Sequence, residues 1–224
     1  MPSPRLRRLL LLSASVLAIG AMAVACGGDD DDEEVPSIEV GNDEEPEFQG
    51  VLVSPPPFKP DVVLTDTNGE DYDIQAETEG KLTLLYLGYT HCPDVCPTHM
   101  LDIATTLEAL GPEIADDVAV LFITTDPERD TPEALRRWLD LFNGEFVGLT
   151  GPLETLEQLQ RDMGMNPAQQ VPADDEEYLI EHGSYVLAFD KDDNIAHLVY
   201  PLGITRDAWA HDIEKLVTEG WQES

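Results

Sequence analysis

Two cysteines four positions apart, Cys92 and Cys96, are each followed by proline and bracketed by His91 and His99, and no other residues in the chain are better suited to chemistry. Thiols so spaced can close a disulfide, cycle between dithiol and disulfide, or hold a soft metal ion. A residue before proline is pushed away from helical geometry, so neither cysteine is expected inside a helix. Pro97 suits the first position of a helix and makes Cys96 its approximate N-cap, beside free backbone N–H groups and the positive end of the helix dipole. That environment favours thiolate, the form that nucleophiles and metal ligands both need. A reactive or ligating pair is therefore expected over an inert one.

Spacing narrows the chemistry without closing it. Cys-x-x-Cys on a strand-to-helix turn is the thioredoxin-type redox signature, and here one more residue widens the loop. Two thiolates with one neutral imidazole form a set that Cu(I) accepts readily. Zinc prefers four ligands, and His91 or His99 could supply the fourth. A purely structural staple explains the pair poorly: a small loop gains least from the chain-entropy model, and a domain of this size buries an adequate core without help.

The third cysteine, Cys26, speaks to compartment. Arg5, Arg7 and Arg8 form a basic start, Leu9 to Gly20 is apolar, and Ala23-Val24-Ala25 supplies the small residues that precede a signal-peptidase cut. A small-residue run ending in cysteine also resembles a bacterial lipobox, so residues 1–25 read as a signal peptide and Cys26 as a lipidation site. Plain secretion is the alternative. Residues 26–57 are rich in Gly, Asp, Glu and Pro and read as an acidic flexible tether, with a maximum reach of about 100 Å. The expected location is outside the cell, on the outer face of a bacterial cytoplasmic membrane.

Residues 58–224 are the size of one domain. Val62–Leu64 and Tyr72–Ile74 flank Asn68-Gly69, a hairpin signal. Leu82–Leu87 is a continuous apolar run of the kind found in strands covered on both faces. A helix from Pro97 to Leu110 follows, then a strand over Val118–Thr124, a helix over Pro132–Phe142, a strand over Phe146–Leu149 and a helix over Leu153–Asp162. A strand pair, Tyr185–Phe189 and Ile195–Val199, and a helix from Arg206 to Val217 complete the chain. This order predicts an α/β domain with a central mixed sheet flanked by helices and an N-terminal hairpin.

Twelve Lys and Arg against 46 Asp and Glu give a formal charge of -34. Such a surface repels nucleic acid, which is excluded as a direct partner, and any membrane contact is expected through the lipid anchor alone.

The run "GYTHCPDVCP", followed in order by "LFITTDPERDTPEAL", "FVGLTG" and "YLIEHGSYVLAFD", resembles the Sco family, also called SenC, of copper-binding cytochrome c oxidase assembly proteins. The resemblance implies a thioredoxin-like fold that binds one copper ion, Cu(I) or Cu(II), through Cys92, Cys96 and the distant His182. It implies a metallochaperone for the dinuclear copper centre of a terminal oxidase, with that oxidase's copper-site subunit as partner and other copper chaperones or thiol reductants as further ones. The alternative is a thiol-disulfide oxidoreductase using Cys92 and Cys96 as a redox-active disulfide. Peroxide reduction is disfavoured, since no acid-base and Thr/Arg constellation accompanies Cys92. Where the family commonly has Asp before the distant His, this chain has Glu181, and Asp190 to Asp193 replaces a Pro- and Gly-containing turn. His91 and His99 are expected on the surface or behind the ligands, His197 and His211 on the surface, and Trp138 and Trp209 in the core or at an interface. Asp126 and Arg129 are read as organisers of the loop after a strand.

Overall fold

A computed structural model describes residues 47–173 and 178–222. Cys26 and the expected signal peptide lie outside the described residues. The chain forms β1 (Val51–Leu52), β2 (Val63–Asp66), β3 (Asp71–Asp73), α1 (Ile74–Glu77), β4 (Leu82–Gly88), α2 (Val95–Leu110), α3 (Pro112–Ala115) and β5 (Val118–Thr124). It continues with α4 (Pro132–Leu139), β6 (Val147–Thr150), α5 (Leu153–Asp162), β7 (Gln169–Pro172), β8 (Tyr178–Glu181), β9 (Tyr185–Phe189), β10 (Ala196–Pro201) and α6 (Arg206–Thr218). Eight strands make one mixed sheet in the order β1-β10-β9-β4-β5-β6-β2-β3, and β7 with β8 forms a separate two-stranded ribbon. The central strands β4, β5 and β6 are parallel, while β9 runs antiparallel to β4. The Asn68-Gly69 turn joins β2 to β3 as expected, with Gly69 at φ 83°.

Every residue of β4 is buried, which is why its sequence shows no polar alternation. Its side chains still alternate between two cores. Leu82, Leu84 and Tyr86 join Val118, Val120 and Phe122 of β5 under α2, α4 and α6, where Met100, Ile103, Leu139, Trp209 and Ile213 cover them. Leu85 and Leu87 join Leu121 and Ile123 on the opposite face, covered by Ile74, Leu156 and Leu159. Each fully buried Leu, Ile or Phe contributes roughly 1.5–3 kcal/mol of transfer free energy. The strand that leads into the cysteines is thereby among the most firmly held elements of the molecule.

The ordered domain begins before residue 58, and the tether boundary moves accordingly. Phe48 stacks on Trp221 with ring centroids 5.0 Å apart, and β1 pairs with β10. The carboxylate of Asp212, fully buried on α6, accepts hydrogen bonds from the backbone N–H groups of Gln49 and Gly50 and from the Tyr200 hydroxyl. This segment is mostly polar or proline by composition, and only its long-range partners order it.

Candidate metal and thiol centre

β4 ends at Gly88, and the chain turns through residues 89–94 into α2. A β-carbon at Gly88 would stand 2.7 Å from Tyr86 Cε1 and 3.0 Å from Cys96 Sγ, so the absence of a side chain there lets the sulfur approach the strand. The turn is pinned by Asp130, a fully buried carboxylate that accepts from the Thr90 N–H at 3.0 Å, the Thr90 hydroxyl at 2.6 Å and the Thr124 hydroxyl at 2.7 Å. It is tied again where the Thr125 N–H donates to the Gly88 carbonyl at 2.7 Å.

Cys96 lies inside α2, as its second residue, contrary to the expectation from Pro97. Proline is tolerated in the first turn because the N–H it lacks would have had no partner within the helix, and the preference of the preceding residue for extended geometry gives way to the packing of Cys96 in the core. Cys92 stays outside the helix. Its sulfur, not that of Cys96, receives the free N–H of the first turn, donated by the Cys96 backbone at 3.5 Å. Both cysteines are reduced, Cys92 half-buried and Cys96 buried.

His182 follows β8 and reaches the same place from the ribbon. Its Nε2 is 3.7 Å from Cys96 Sγ, and the donor atoms of Cys92, Cys96 and His182 all lie within 4.8 Å of one another. Nδ1 is 2.9 Å from the Gly183 carbonyl, a contact that requires the proton on Nδ1 and leaves the Nε2 lone pair free toward the sulfurs. Taking zinc-like bonds of roughly 2.3 Å to sulfur and 2.0 Å to nitrogen, opened to 120°, a sulfur and a nitrogen on one ion stand about 3.7 Å apart. The Cys96–His182 separation thus matches a trigonal ion, and the other donor pairs lie within 4.8 Å.

The electrostatics divide the two thiols. The Cys96 thiol, then the N–H groups of Asp94 and Cys96, lower the Cys92 thiol well below its ordinary range against the opposing effect of burial. Cys96 is raised, first by its hydrogen bond to Cys92 and then by burial. The pair therefore carries one negative charge before two, and that charge sits on Cys92. Tyr86, wholly buried, donates its hydroxyl to Cys96 Sγ at 3.5 Å and sets its ring edge-on to His182. Sequence reasoning missed Tyr86; its signal was a hydroxyl-bearing aromatic on the same strand face as the residues under α2.

The other candidates fall outside this group. His91 is exposed and turned to Thr90 and Asp130. His99 is buried behind the cysteines, packed on Tyr86 with its Nε2 3.4 Å from the Ser184 carbonyl. His197 stacks on Trp221, and His211 lies beside Asp212. Trp209 is in the core and Trp138 packs against Phe122 and Phe142. Glu181 is exposed, and the Asp190 to Asp193 turn lies at the end of β9 away from His182. Asp126 and Arg129 order the loop after β5 and also touch Tyr178 of the ribbon.

A thioredoxin-like sheet that offers two thiols on a strand-to-helix turn and an imidazole from a separate ribbon defines a class of protein able to take a soft metal ion or to cycle a disulfide. Residues 53–218 match the SCO1/SenC family over most of the chain. The chain belongs to the SCO1/SenC family. A SCO2-like protein of Rickettsia prowazekii is 36% identical over 129 residues, 57% of this chain and 62% of the relative, so the chain spans about three fifths of that relative's length. The copper-bound structure of Bradyrhizobium japonicum ScoI is 34% identical with a TM-score of 0.62, covering 71% of this chain and 97% of that one. The metal-free solution structure of Sco1 from Thermus thermophilus is 29% identical with a TM-score of 0.65, covering 75% and 96%.

Proposed function

We propose that the protein binds one copper ion through Cys92, Cys96 and His182 and passes it to the copper-site subunit of a terminal oxidase, as a metallochaperone held by a lipid on Cys26 at the outer face of a bacterial cytoplasmic membrane. The observation that carries this reading is the convergence of the three donor atoms, with the Nε2 lone pair already bare. Two thiolates and an imidazole favour Cu(I). Cys92 and His182 are only partly buried, so thiols of a partner could enter as His182 leaves, and the ion would move by ligand exchange. Other copper chaperones would load it by the reverse exchange. Anaerobic titration of the reduced domain should give one tightly held copper per chain, weakened or spectrally altered in His182→Ala; no specific binding would refute the reading.

A second reading rests on the unequal thiols. An accessible thiolate at Cys92 beside a buried thiol at Cys96 is the arrangement that reduces a partner's disulfide. Cys92 would attack one partner sulfur, releasing the other as thiolate. Cys96 would then deprotonate and attack Cys92, closing the intramolecular disulfide and leaving the partner with both thiols and the two electrons. His182→Ala separates the readings, because thiol exchange should tolerate it and copper delivery should not.

A further inference from the structure

The ribbon that carries His182 forms no ladder with the eight-stranded sheet among the described residues, so its placement depends on side chains. A buried carboxylate and one arginine supply the grip. Asp126, 2% exposed, pairs with Arg129 Nε and accepts from the Tyr178 hydroxyl at 2.9 Å. Arg129 Nη1 donates to the Tyr178 carbonyl at 3.0 Å, and the guanidinium carbon lies 3.6 Å from the centroid of the Tyr178 ring. Tyr178, the first residue of β8, is thereby held at its hydroxyl, its ring and its backbone. The same guanidinium lies 5.8 Å from the Tyr89 ring centroid. The Tyr89 ring in turn meets the His182 imidazole edge-on at 5.7 Å, and its hydroxyl faces the Ile180 backbone N–H.

We infer that Arg129, oriented by Asp126, is a positioning residue that fixes where His182 Nε2 stands relative to the two sulfurs and so governs how readily that imidazole leaves the metal. It reaches the histidine by two routes, along β8 from Tyr178 and across the ring of Tyr89. A guanidinium suits the task because it is planar and multidentate: separate N–H groups engage the carboxylate and the carbonyl while its face covers an aromatic ring, which an ammonium cannot do. The inference rests on the metal-site reading proposed above. Residues that orient a metal ligand without touching the metal typically change affinity by about 10–100-fold.

The test is a double-mutant cycle. Cu(I) affinity of the reduced protein is measured by anaerobic chelator competition for Arg129→Gln, Arg129→Lys and Tyr178→Phe, each alone and combined with His182→Ala. Arg129→Gln should weaken binding about tenfold or more, with little rescue by Lys, and Tyr178→Phe by a smaller factor. In the His182→Ala background the same changes should have no further effect. Equal losses in both backgrounds would overturn the inference. Amide exchange of the metal-free protein gives a second readout: Arg129→Gln should speed exchange in residues 178–183 about tenfold while residues 82–88 and 118–124 stay protected, and unchanged exchange in the ribbon would overturn it. If the unsubstituted protein held copper independently of His182, the proposed metal site would fail, and the exchange result would decide the positioning role.

Discussion

Tyr86→Phe isolates one hydrogen bond at the site. The ring stays, with its packing on His99 at 5.0 Å and on Phe122 at 6.0 Å and its edge contact with His182 at 6.2 Å. Only the hydroxyl that donates to Cys96 Sγ at 3.5 Å is lost, and no buried partner is left without an alternative, since that sulfur also faces His182. A hydrogen bond to a charged acceptor is worth about 1.5–3 kcal/mol. The 3.5 Å separation places this one at the lower end, so about 1.5 kcal/mol of thiolate stabilisation should disappear, equivalent to roughly a tenfold loss of copper affinity at fixed pH. Chelator competition under anaerobic conditions reads that loss, and thermal unfolding of the metal-free protein controls for packing. Unchanged affinity in a correctly folded variant would refute the claim that Tyr86 supports the Cys96 thiolate.

The remaining predictions probe the loop, the thiols and the N-terminal latch. Folding holds the Cys92 thiol well below its ordinary range, so alkylation of Cys92 by iodoacetamide should stay nearly constant from pH 8 to pH 6; an unperturbed thiol would slow by roughly 75-fold over that span. Gly88→Ala forces a methyl to within 3.0 Å of Cys96 Sγ and Phe122 Cε2 and should cost about 1–3 kcal/mol in denaturant unfolding, with copper affinity falling alongside. Asp212→Ala removes the carboxylate that accepts from the Gln49 and Gly50 N–H groups and the Tyr200 hydroxyl and should cost about 2–4 kcal/mol, read as unfolding at lower denaturant and as new proteolytic cleavage near residues 47–53.

The central strands were legible because burial on both faces leaves a continuous apolar run, and the structure's β4 and β5 begin at the expected Leu82 and Val118. The bounds of α5 and β9 also match the pattern of their apolar residues. The β7–β8 ribbon was not legible. Gln169-Gln170-Val171-Pro172 has no apolar alternation, and its order comes from pairing with β8 and from the Asp126, Arg129 and Tyr178 contacts. That gap explains why His182 could be selected by resemblance but not by its own neighbourhood: the element that presents it has almost no local signature. The cysteine turn was placed correctly between strand and helix. The helix boundary was missed by two residues because the rule for residues before proline is a preference that core packing of Cys96 outweighed.

The three donors are not equivalent in how they are mounted. Both sulfurs belong to one turn, fastened by Asp130 and by the first residues of α2, and so would act as a bidentate chelate, whereas the imidazole is a single arm on a ribbon outside the sheet. If copper is held as proposed, dissociation of the arm would leave the ion on the tethered sulfurs at high effective concentration, and a vacancy would open without release into solvent. Departure would thus be ordered, nitrogen before sulfur. Copper would pass from one protein to the next without existing as a free ion, and the two sulfurs left behind would already be neighbours, ready to oxidise.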